Sequence, residues 1–201
     1  MMTLMKDPKR IEALHALTIP AFIGALENAS RIVAKAERHA RRHGIEPATL
    51  LSARLYPDMF TLLQQLQYLC FIPVDFAKNF SRAAAPRVGY DETTFAELKT
   101  SFRQTIRYLR AIKPEHFKAH ANTPLPVFFD PSRGLPAEAL AGRMTLPDFY
   151  FHATIAYAIL RHNGVPIGKA DFIGPLDAVP LRKKKTPAFS NRNHKTQRNR
   201  R

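Results

Sequence analysis

FYFHATIAYAIL, residues 149–160, is apolar on nearly every side when wound as a helix. A helix of that kind is buried from several directions at once. Its N-terminal flank supplies Thr145 and, three residues later, Asp148, the spacing of a capping box. Its C-terminal flank reads Asn163-Gly164-Val165-Pro166: a glycine for the left-handed cap, an apolar residue, then a proline. The stretch therefore predicts a central helix from Thr145 to Asn163, and the remaining elements must pack around it.

Three further helices are predicted upstream. From Leu17 to His43, residues Ile19, Phe22, Ile23, Leu26, Ser30 and Val33 recur at steps of three and four, and Gly44 stops the pattern. Pro20 fits only near a helix start. A short turn of helix follows at Glu46–Ser52. The next helix starts near Pro57, with Met59, Leu62, Leu63, Leu66, Leu69 and Cys70 as its stripe. Pro73 breaks or kinks it, and the helical pattern resumes from Val74 to Ala85. Thr94 and Glu97 form a capping box for another helix, whose core face is Phe95, Leu98, Phe102, Ile106 and Leu109 and which Pro114 ends. Residues 114–144 are irregular: TPLPVFFD reads as a short edge strand and DPSRG as a turn. Together these give an all-α, up-down four-helix bundle with a long connection before the last helix. Residues 1–16 read as a frayed leader, 17–181 as the bundle domain and 182–201 as a disordered basic tail.

The chain has 201 residues and a net charge of +15. Nine of the 31 basic residues lie after Leu181, where there is no acid, and the other 22 face 16 acids, a net of +6. The tail thus predicts nonspecific contact with polyanions, nucleic acid included. It lacks the interleaved aromatics that stack bases. No apolar run is long enough for a membrane span and no signal peptide is apparent, so a cytoplasmic location is expected. A lone cysteine, Cys70, excludes an intramolecular disulfide and reads as an inert core thiol.

His152 lies inside the apolar helix. A buried imidazole needs a partner: it is either a core histidine bonded to a carboxylate or carbonyl, or a ligand or catalytic group. His162, ten residues on and about 15 Å along the axis, cannot share an ion with it and suits the negative end of the helix. His39/His43 and His116/His120 have the i, i+4 spacing of zinc helices. The first pair sits in a strongly basic stretch and the second after a proline. Asp58 reads either as a first-turn acid or as a carboxylate that orients His152. Asp91 and Glu92 read as solvated acids. Nucleotide-binding, hydrolase and metalloprotease motifs are missing from the sequence.

ARLYPDMFTLLQQLQ (53–67), DETTFAEL (91–98) and LPDFYFHATIAYAILRHNGVPIGKADFIG (146–174) together resemble the bacterial domain of unknown function 1993 family, grouped with the DinB/YfiT-like four-helix bundles. The resemblance implies a bundle, a homodimer and no known reaction. The superfamily implies a divalent metal held by three histidines, one from the second helix and two at i, i+4 on the fourth. Only His152 matches here; Ala156 stands four residues later, and the second helix has no histidine. The FIPV segment (71–74) and the proline-rich connection depart from the expected pattern at the end where a pocket would open. The expectation is therefore a small-molecule-binding or stress-related scaffold without a metal cofactor, its pocket marked by His152, Asp58 and Tyr150. The alternatives are a divergent metal-dependent thiol transferase or hydrolase using His152, and nucleic-acid association through the tail.

Overall fold

The computed structural model describes residues 8–81, 83–118, 124–127 and 129–180. Along the chain run α1 (Pro8–Arg42), α2 (Pro47–Ser52), α3 (Leu62–Lys78), α4 (Phe95–Ala111), α5 (Pro114–Lys118), β1 (Leu125–Val127), β2 (Asp130–Leu135), α6 (Ala137–Leu140), α7 (Leu146–His162) and α8 (Lys169–Ile173). The long helices form the all-α bundle. Helix α3 lies against both α7 and α4, α1 lies against α4, and the short α5 and α8 close against α1. Phe22, Phe76, Phe102, Phe117 and Phe149 are among the fully buried side chains. Each such side chain stabilises the fold by roughly 1.5–3 kcal/mol. No helix among the described residues is long and apolar enough to cross a membrane.

Two helix starts differ from expectation. Helix α1 is already helical at Pro8, within the stretch read as a leader, so Pro20 lies in its interior. Pro20 and Ala16 are exposed, so the carbonyl that the proline frees faces solvent, where a lost N–H partner is least costly. Helix α3 starts at Leu62 rather than near Pro57, because Thr61 caps it: the Gln64 amide donates to Thr61 Oγ1 at 3.3 Å, and the Thr61 amide donates to Gln64 Oε1 at 2.9 Å.

Pro73 does not break α3, which runs on to Lys78 and ends there rather than at Ala85. An interior proline costs about 3 kcal/mol. Ile72, Pro73, Val74, Phe76 and Ala77 around it are all buried, and their combined burial outweighs that cost. Thr145 is not a cap either. It has helical angles inside a π-helical turn, Ala141–Thr145, that joins α6 directly to α7. The other capping box forms as read, at Thr94 and Glu97.

The irregular segment contributes a two-stranded antiparallel sheet, with Leu125 opposite Leu135, Pro126 opposite Gly134, and an irregularity between Pro126 and Val127. DPSRG opens β2 rather than forming a free turn, with the Ser132 amide donating to Asp130 Oδ1 at 3.2 Å. After α7 the chain folds back over α1. Asn28 Nδ2 donates to the carbonyls of Phe172 and Ile173 at 2.9 and 2.8 Å, and Lys35 meets Asp171 at 2.6 Å. Gly174, at φ +78°, sits where any Cβ would collide with the Asn28 side chain.

Candidate functional site

His152 is buried where α7 faces α3. Its Nδ1 lies 2.6 Å from Oε1 of Gln65. The Gln65 amide nitrogen donates to the Phe60 carbonyl at 3.3 Å, which turns the Gln65 oxygen toward the ring. Nδ1 therefore carries a proton, and Nε2 faces Asp148 Oδ1 at 3.4 Å. Aromatic rings enclose the imidazole: Tyr68 at 4.7 Å, Phe151 edge-on at 5.4 Å, and Phe60 stacked at 6.0 Å. Sequence reasoning missed Gln65 and Asp148. The i, i+4 spacing of Asp148 and His152 was the available signal, masked by the capping-box reading of Asp148.

The three residues expected to mark one pocket do not meet. Asp58 is exposed in the turn before α3, and the carboxylate beside His152 belongs to Asp148. Tyr150 lies on another side of α7, in the groove that Asn28 and Phe172 also line. His162 is exposed in the last turn of α7. The His39 and His43 rings lie 4.4 Å apart near the C-terminal end of α1. His116 accepts from the Lys113 amide at 3.2 Å, while His120 lies outside the described residues, as do residues 182–201. Cys70 is fully buried, and burial pushes its thiol far up, out of reach as a nucleophile.

A second polar centre lies at the start of α4, where solvated acids were expected. Asp91 is exposed, but Glu92 is 8% exposed. Glu92 Oε1 accepts from the Ser101 hydroxyl and from the Gly89 amide at 2.9 Å. The Gln67 side-chain Nε2 donates to the Glu92 backbone carbonyl at 3.0 Å. Glu92 Oε2 has no hydrogen-bond partner among the described residues. Burial alone would push this carboxyl up; the Ser101 hydroxyl, the amides of Gly89 and Glu92 and the Gln67 side chain outweigh it and hold it below its ordinary value. Gly89 makes the arrangement possible. Its φ is +85°, and a Cβ would stand 2.7 Å from the Gln67 carbonyl oxygen. Over this network opens a cleft of about 410 Å³, lined by Arg87, Tyr90, Asp91, Glu92, Glu97 and Ser101 among others.

The resemblance implies a metal held by three histidines, and the residues around His152 supply a different set. Helix α3 presents Gln65 and α7 presents Asp148 and His152, so one residue from α3 meets an i, i+4 pair on α7. Gln65 Oε1 is taken by Nδ1, which leaves two donors, His152 Nε2 and an Asp148 oxygen. Catalytic zinc sites take three protein ligands. Among the described residues no group of three His, Cys, Asp or Glu is placed to hold an ion. A three-histidine type of metal centre does not fit this donor set.

The packing of α1, α3, α4 and α7 makes a helical bundle, and its likeness to a solved DinB family structure makes that bundle DinB-like. The model of the family described as a domain of unknown function (DUF1993) matches residues 14–173, and the chain belongs to that family. A similar solved structure is the crystal structure of a DinB family member protein from Shewanella denitrificans, 32% identical, with a TM-score of 0.79. The match covers 87% of this chain and 99% of that one. No curated protein matches the chain.

Proposed function

We propose that this protein is a small-molecule-binding bundle and that its ligand sits in the cleft at the start of α4. One observation carries the reading: a cleft of about 410 Å³ is lined by a buried carboxylate with one oxygen unpartnered among the described residues. Buried polar atoms in folded proteins are nearly always satisfied, and an exception calls for an explanation. A concave site with a few fixed polar groups is the usual form of a ligand pocket. The reading needs no metal and no catalytic triad. His152, enclosed by rings and bonded to Gln65, serves here as a core polar joint between α3 and α7. Two finer parts belong to the same proposal: assembly as a homodimer, and loose contact of residues 182–201 with polyanions.

The test is a thermal-shift screen of small molecules against the full chain and its Ala96→Trp variant. Ala96 is exposed on the cleft wall, so tryptophan fills the cleft without entering the core. A ligand at one hundred times its Kd adds about 2.7 kcal/mol, a rise of several degrees. The expected result is a set of hits that stabilise the wild type and not the variant. A screen without hits, or hits that stabilise both proteins alike, overturns the proposal.

A further inference from the structure

Resting on that reading, we infer that the cleft takes an organic cation, an ammonium or guanidinium group on an apolar body, with Glu92 Oε2 as its anchor. The charges around the cleft are unequal. Asp91, Glu92 and Glu97 line it, and among the described residues its lining cation, Arg87, is paired with Asp91 at 3.2 Å. The carboxylate oxygens are also unequally occupied. Glu97 Oε2 accepts from the amides of Thr93 and Thr94 and from the Thr93 hydroxyl. Glu92 Oε1 is committed to Ser101 and Gly89. Among the described residues, that leaves Glu92 Oε2 as the buried carboxylate oxygen of the cleft without a hydrogen bond. A buried oxygen that lacks a donor is costly, and an N–H⁺ group supplies that donor directly.

The wall beside it favours the same class of ligand. Tyr90 lines the cleft with its ring braced edge-on against Phe71 at 5.6 Å. A carboxylate with an aromatic face is the chemistry that holds alkylammonium and guanidinium groups. A hard divalent cation needs six or more oxygens converging on a point. The oxygens here are dispersed among a cap, a loop staple and an ion pair, so a hard metal is poorly served. Arg87 and Tyr90, 83% and 62% exposed, are the lining groups that can turn aside to admit a ligand. The overall charge of +15 opposes cations at long range. At physiological salt the screening length is about 8 Å, so the local carboxylates decide.

Glu92 also staples the loop before α4, and that structural role explains Oε1 but not Oε2. The deciding experiment titrates ¹⁵N-labelled full-length protein with benzylammonium, benzyl alcohol and benzoate, one shape in three charge states. Benzylammonium is expected to shift the Gly89 and Ser101 amides saturably, at least tenfold more tightly than benzyl alcohol, with no response to benzoate. Glu92→Gln is expected to weaken that binding at least tenfold. If this variant fails to fold, Ala96→Lys places a tethered ammonium in the cleft and is expected to abolish the shifts. Equal binding of benzyl alcohol, or preference for benzoate, at the same amides overturns the cation assignment while cleft binding stands. Benzylammonium without effect on these amides overturns it too, and the screen above then reports separately whether the cleft binds anything.

Discussion

His152 and Glu92 are both buried polar groups, and they differ in how much of their bonding capacity is used. His152 spends Nδ1 on Gln65 and faces Asp148 with Nε2. Replacing it with alanine strands the Gln65 oxygen inside the α3–α7 contact. Stranding a buried acceptor costs about 1–3 kcal/mol, and urea denaturation of His152→Ala is expected to show a loss of that order. Glu92 carries a pH signature. Its folded carboxyl titrates below its ordinary value of 4.5, so its stabilisation is fully present above that pH. It is lost as pH falls through the folded value. Glu97 and Asp171 are lowered as well, so the fold weakens in acid for several reasons. Stability measured against pH is therefore expected to fall less steeply below pH 4.5 in Glu92→Gln than in wild type. His152 was legible in the sequence because a polar residue inside FYFHATIAYAIL must find a partner. Glu92 was not, because nothing local announces that Gly89, Gln67 and Ser101 converge on it.

At the scale of elements, legibility followed the range of the interactions. The Thr94–Glu97 box and the glycine stop after α7 depend on neighbours in sequence, and both stand as read. The course of α3 through Pro73 and the π-helical turn before α7 depend on packing against other helices. Local rules therefore placed a break and a cap where the chain stays helical. Asp58 is an exception to that pattern: the Thr61–Gln64 box is local in sequence, yet a start near Pro57 passes over it, and the box begins α3 at Leu62 and leaves Asp58 in the turn outside. The loop ahead of α4 has one indispensable backbone position. Gly89→Ala demands a left-handed alanine and a collision with the α3 backbone. It is expected to cost more than about 1 kcal/mol in denaturant unfolding and to speed hydrogen exchange at the Glu92 and Ser101 amides.

Over the whole molecule, charge divides the sequence into a mildly basic stretch up to Leu181 and a strongly basic end. The family and the bundle were legible because the α7 segment and its sequel are long and distinctive and form the clasp on α1. The core itself is carried more by α3, and Tyr150 and Phe151 are exposed, so α7 is buried on one side rather than from several directions. If residues 182–201 hold polyanions as proposed, binding to duplex DNA is expected to fall steeply between 50 and 200 mM salt. It should vanish when the tail lysines and arginines are changed to glutamine, and Glu92→Gln should leave it unaltered. The proposed ligand cleft is expected to behave independently of that end, since its charges are local. The most direct test of the account compares calorimetric Kd values of the tightest screened ligand for wild type, Glu92→Gln and His152→Ala. The account predicts at least tenfold weaker binding in Glu92→Gln and a Kd within twofold of wild type in His152→Ala. Loss of binding in His152→Ala with an unchanged Kd in Glu92→Gln would contradict it and move the site to the α3–α7 contact.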